Sequence, residues 1–236
     1  MASAWGNDGR SALNVGGIAT ALGSVGVAIT TLFYALSPPA AAMPHQPLDL
    51  AGALAGAVAG ATMMGAASTV GILFDIALAA GALLVAFEFA RLGRGVAAAG
   101  WAMMFVSVLL FTFVDVIVGQ VLVPLAAAHG ESMAFLGFKV LFDALFLLGT
   151  VAFGSGLVLA MAAECSAGTP LVAKSLAYAG IIIGILGIAA AAACFVHLPL
   201  ELAVGASIGL GSVLFIAIGI QLAKADANPS ARSIST

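Results

Sequence analysis

Charge is what this sequence most lacks. Seven Lys+Arg and ten Asp+Glu among 236 residues make only 7% charged side chains, against about 25% in a soluble domain. So few ions cannot cover a water-exposed surface of this size. That excludes a soluble enzyme, a nucleic-acid-binding protein and a disordered chain. The net charge of −3 carries no message about partners; the position of each charge does. Cysteine is nearly absent too. Cys165 and Cys194 are too few for a disulfide framework, and they are expected at opposite ends of one helix. There is no H-E-x-x-H, no C-x-x-C and no pair of mid-span histidines for haem. No metal site and no cofactor is expected. An intramembrane enzyme lacks every motif it would need.

Long apolar runs are what the chain has instead. Hydrophobic residues make up 63% of it, 29 residues are glycine, and the mean hydropathy is +1.23. The runs are unbroken over helical lengths, which excludes the alternating strands of a β-barrel. The expectation is an all-α polytopic integral membrane helix bundle, with the lipid bilayer as its first partner. Residues 14–223 form the transmembrane domain, between a cytoplasmic segment 1–13 and a cytoplasmic tail 224–236. The first apolar run is much longer than the ~7–15 residues of a signal-peptide core, so it reads as an uncleaved helix. The Ala- and Gly-heavy composition fits a GC-rich bacterial genome, and a bacterial inner membrane is the expected location. From Gly71 to Leu222 the layout, with FDIALAAGALLVAFEFARLGRG and FKVLFDALFLLGTVAFGSGLVLA, resembles small six-helix bacterial membrane families. That resemblance implies no activity.

A membrane-crossing helix needs about 20 apolar residues. Charges and turn residues delimit six spans, at 14–37, 69–90, 97–122, 135–161, 172–197 and 201–223. Ser37-Pro38-Pro39 stops the first, the Arg91–Gly95 turn the second and Pro124 the third. Glu164–Pro170 separates the fourth from the fifth, and His197-Leu198-Pro199 turns the chain into the sixth. Residues 49–68 are apolar mainly through Ala and Gly. Joined to the second span they would make a helix about 63 Å long, twice the hydrocarbon thickness. A break is therefore expected around Gly65–Gly71, with 49–64 an interfacial or re-entrant helix capped by Asp49. A seventh span is the alternative.

With six spans and both termini inside, Arg10, Arg91, Arg94, Lys174, Lys224 and Arg232 face the cytoplasm and only Lys139 faces out. That six-to-one bias follows the positive-inside rule; seven spans give five to two.

Ionisable groups within spans are costly, so each needs an account. Glu88 precedes Arg91 by three residues and anchors a helix end. Asp75, Asp115 and Asp143 are different: the span boundaries place all three roughly 9–12 Å below the outer surface. Lys139 shares a face with Asp143, Thr112 shares one with Asp115, and Gln120 lies slightly further out. In one reading these groups are interhelical glue, with Lys139–Asp143 as a buried clasp. In the other they line an outward-facing cavity that binds a proton or cation, because crowded carboxylates favour a positive charge between them. His45, His129, His197, Glu131 and Glu201 all fall on the outer side; His197 and Glu201 lie four apart across a turn. Met63, Met64, Met103 and Met104 form two adjacent pairs that read as lipid-facing side chains or core filler rather than copper ligands. The GxxxG pairs Gly180/Gly184 and Gly205/Gly209 predict close helix contacts. Two functions follow. The first is a carrier or channel for protons, cations or a small solute. The second is a non-catalytic subunit or scaffold that packs against partner proteins or further copies of itself.

Overall fold

A computed structural model describes residues 8–38, 50–128 and 133–225, with side chains from residue 12 onward. Asp49, His45, His129, Glu131, Arg232 and the side chain of Arg10 lie outside the described residues. All secondary structure among these residues is helical.

Helix α1 (Asp8–Ala35) ends where Pro38 removes a backbone donor; Ser37 Oγ closes its last turn on the Phe33 carbonyl at 2.9 Å. A short α2 (Leu50–Ala59) leads directly into α3 (Ala61–Arg91). The break expected around Gly65–Gly71 lies earlier, at Gly60. A side chain at Gly60 would stand 2.9 Å from Pro38 Cδ, so the bend is seated on the end of α1. Gly71 stays helical, and its missing side chain makes room for Asp115, whose Cγ lies 2.6 Å from the Cβ it would carry.

Pro124 does not close the third span. Helix α4 (Gly95–Ile117) continues through a π-helical turn (Val118–Leu122) into α5 (Val123–Ala127). Proline cannot donate to the preceding turn and its ring crowds the carbonyl four residues back. A widened turn accommodates both, as π-bulges do elsewhere in helices.

The chain then forms α6 (Met133–Ser166), α7 (Lys174–Phe195) and α8 (Glu201–Ala225). Among the described residues six helical spans are long and apolar enough to cross a membrane, α4 through α5 counting as one, and α2 is not among them. Successive spans pack as neighbours, and α8 returns to α1, so the six close into a ring. Two large apolar clusters and a small one at Leu78, Ala79 and Val108 fill it. One surrounds Trp101, Phe89, Met161 and Phe215, with Trp101 edge-on to Phe215 at 5.5 Å. The other surrounds Tyr34, Phe142 and Phe146.

The cysteines sit on different helices, Cys165 late in α6 and Cys194 late in α7, and both are free. The expectation of one shared helix fails because α6 runs on past Glu164.

Candidate functional site

The carboxylates lie further from the helix ends than the sequence boundaries implied. Because α3 begins at Ala61, Asp75 lies 14 residues along a helix of 31, about 21 Å from its start. Asp115 lies 12 residues before the end of α5 and Asp143 ten after the start of α6, about 18 and 15 Å from those ends.

Asp75 and Asp115 line one partly open cavity of ≈ 50 Å³, walled by α1, α3, α4, α6 and α8. Apart from Thr30, Thr31, Tyr34 and the two carboxyls, its wall is Gly205 and apolar side chains, Phe111, Phe146 and Ile208 among them. Asp115 is 4% exposed and firmly held at one carboxyl oxygen and at its backbone. Tyr34 Oη donates to its Oδ1 at 2.6 Å, and Ser68 Oγ donates to its backbone carbonyl at 2.7 Å. The first is the length of a charge-assisted O–H···O bond. The second ties α3 to the residue just before the π turn.

Asp75 is 3% exposed and much less well held. Its single hydrogen-bond partner among the described residues is Thr112 Oγ1 at 3.3 Å, and that hydroxyl lies nearer the Val108 carbonyl, at 2.9 Å. A hydroxyl has one proton to give. An ionised Asp75 competes with Val108 for it, whereas a protonated Asp75 donates to Thr112 and leaves the Val108 bond intact. Thr30 Oγ1, on the same wall, is buried with no hydrogen-bond partner among the described residues.

Asp143 does not line this cavity. It pairs with Lys139, fully buried, whose Nζ also stands 4.7 Å from the centroid of the Phe142 ring. Phe142, Phe146 and Phe111 stack in sequence at 5.9 and 5.8 Å, linking this ion pair to the cavity wall. Gln120 is exposed on the outside of the π turn and reaches no other candidate residue. Of the residues singled out from sequence, the fold brings together Asp75, Asp115 and Thr112. It adds Tyr34 and Thr30, which sequence reasoning missed. For Tyr34 the signal was present: Thr20, Ser24, Thr31 and Tyr34 recur at spacings of four, seven and three on one face of an otherwise apolar helix, a face that Thr30 adjoins without sharing.

A second ionic cluster occupies the opposite end of the bundle. Glu88 and Arg91 form the expected pair, through two bonds of 2.9 and 2.6 Å. Unexpectedly, Glu164 is 1% exposed and accepts from Arg94 Nη1 at 2.9 Å and from the Leu171 and Val172 amides at 2.6 and 3.0 Å. Arg94 Nη2 completes the clasp on the Thr169 carbonyl at 2.6 Å. His197 is exposed in its turn, with a φ of 66°, and makes no ion pair with Glu201 among the described residues. Nor do any three His, Cys, Asp or Glu among those residues gather to hold a metal.

The class is therefore an all-α, multi-pass integral membrane protein with two buried carboxyl groups at one small cavity. The chain matches no protein-family model, no curated protein and no solved structure.

Proposed function

We propose that this protein carries protons or small inorganic cations across a bacterial inner membrane, with the Asp75–Asp115 cavity as its binding site and both termini in the cytoplasm. The observation that supports it is Asp75: a buried carboxyl in the middle of a transmembrane helix, one long hydrogen bond from isolation, facing a cavity. Structural glue is normally held by short, well-made bonds, as Asp115 is by Tyr34 at 2.6 Å. A carboxyl left nearly free in hydrocarbon is a site that takes up and releases charge. The cavity's size narrows the cargo. At ≈ 50 Å³ it has room for a few waters at ~10–15 Å³ each, and is far below the ~300–1,000 Å³ of organic-ligand pockets.

The test is uptake into vesicles reconstituted with purified protein, under imposed proton, sodium or potassium gradients. Asp75→Asn keeps size and hydrogen bonding but cannot exchange a proton or hold a cation. It should reduce flux at least tenfold while the variant still purifies as a folded species. Wild-type vesicles no leakier than empty ones under all three gradients would overturn the reading and favour the scaffold alternative. Labelling of single cysteines should place Arg91–Arg94, Lys174 and the C-terminus on the cytoplasmic side; an external C-terminus would reverse the direction of access.

A further inference from the structure

Helices α1 and α8 close the ring, and they meet by backbone at the end of the bundle where α1 starts and α8 finishes. A Cβ at Gly17 would lie 2.6 Å from both the Gly219 carbonyl oxygen and the Ala223 amide nitrogen. Asn14 Nδ2 adds a bond of 2.9 Å to the Ala223 carbonyl. Small residues along the contact line bring the two helices this close, and the larger side chains flanking that line stand apart. Between them lies a groove of ≈ 360 Å³, walled by Ile18, Leu22 and Val25 of α1 and by Ile216 and Ile220 of α8. It faces lipid, since Ile18, Leu22, Val25 and Ile220 are exposed. One wall residue is charged: Lys224, in the last turn of α8.

The dimensions select the occupant. Along α8 the groove runs from Ile216 to Lys224, ~12 Å at ~1.5 Å per residue. That is most of the hydrocarbon of one leaflet, which is half of ~30 Å. Its cross-section is then ~30 Å², against ~80 Å² for a helix ~10 Å across. A helix of a partner or of a second copy is too thick to enter, whereas an extended acyl chain is the thinner object that the bilayer supplies. Residues 226–236 carry one large apolar side chain, Ile234, and offer no substitute. The head group follows from Lys224. It is exposed and forms no ion pair among the described residues. Its stem lies along the groove, and a long basic side chain at a helix end reaches for the head groups. A lipid whose chain lies between Ile216 and Ile220 brings its phosphate to that ammonium.

We infer that the groove between α1 and α8 binds one anionic phospholipid from the leaflet on the side of both termini, its acyl chain along the apolar walls and its phosphate on Lys224. The site is separate from the Asp75–Asp115 cavity and stands whether or not the protein transports anything. Its consequence is structural: the lipid lies along the joint at which the ring closes on itself, so it fastens α1 to α8.

Native mass spectrometry of the full chain in detergent, with phosphatidylglycerol or phosphatidylcholine added, counts the bound lipids. Wild type should hold one phosphatidylglycerol about fivefold more tightly than phosphatidylcholine, the effect of one basic side chain at an anionic head group. Phosphatidylglycerol should also raise the unfolding midpoint, and inorganic phosphate, which has the charge without the chain, should not. Lys224→Gln should bring the two lipids level, and Lys224→Arg should keep the preference. Val25→Trp fills the groove from a position 39% exposed and should release either lipid. Should that variant fail to fold, Ile220→Trp on the opposite wall, 43% exposed, carries the same expectation. Equal retention of the two lipids by wild type overturns the site. So does a preference that survives Lys224→Gln, or a bound lipid that survives the groove-filling variant. A dimer that Val25→Trp dissociates would give the groove to a second copy and overturn it as well.

Discussion

Lys139 is the costliest side chain in the molecule to place, an ammonium at 0% exposure in a helix that crosses the membrane. Asp143, one turn on, and the face of Phe142 compensate it. Removing one partner of such a pair costs about 3–5 kcal/mol, whereas replacing both by neutral groups is far milder. Lys139→Ala is therefore expected to lower thermal stability in detergent sharply, and Lys139→Ala with Asp143→Asn to recover most of the loss. Equal loss in the single and double variants would mean the groups are uncoupled. This pair was legible in the sequence, because residues four apart on a helix share a face. So was the suspicion attached to Asp75 and Asp115. What the sequence could not reveal is that Asp143 belongs to a separate cluster, since helix phase alone does not say which faces meet. Tyr34 was hidden for the same reason: it lies 81 residues from the Asp115 it donates to.

Among the elements, turn chemistry was read well where proline and glycine act locally, and less well where packing decides. Gly93, with φ 73°, ends α3 as expected, its neighbour Arg94 donating back to the Phe89 carbonyl at 2.9 Å in the manner of a Schellman cap. Pro124 was expected to stop a helix, and a π turn carries the helix past it instead. Glu164 was read as part of a polar connection, yet it is buried because the loop folds over it. The consequence can be measured. Glu164→Ala leaves the Leu171 and Val172 amides without an acceptor, at ~1–3 kcal/mol each, and is expected to cost about 2–4 kcal/mol in detergent unfolding. Arg94→Ala, with its side chain 24% exposed, leaves both amide bonds to Glu164 in place and should cost less than half as much. The reverse order would show that the cation, not the backbone cradle, organises the loop.

Across the whole molecule, lipid offers no hydrophobic drive for one helix to leave it for another, so the ring is held by close packing and buried polar contacts. Glycines set the approach distance. On α6 and α7, a Cβ at Gly154 would lie 2.6 Å from the Gly184 carbonyl oxygen, and one at Gly184 would lie 2.6 Å from that of Gly154. The expected Gly180/Gly184 motif thus works as a crossing, since a Cβ at Gly180 would lie 2.6 Å from Met161 Cγ. Gly209 is different: its Cβ would make only an ordinary 3.4 Å contact with Thr31, and Gly205 lines the cavity. Spacing alone did not separate these two pairs, because a GxxxG stripe can face a neighbouring helix or a void. The contrast gives a test with an internal control. Gly154→Ala or Gly184→Ala forces rigid backbone apart and should cost about 1–3 kcal/mol through overpacking. Gly65→Ala in α3 and Gly137→Ala in α6, where a Cβ meets nothing within 4 Å, should be neutral or gain up to ~1 kcal/mol from helix propensity. Unfolding midpoints of all four variants in one detergent would decide it. If the two pairs shift alike, glycine in this bundle is compositional, and the ring is held by its side chains rather than by backbone contact.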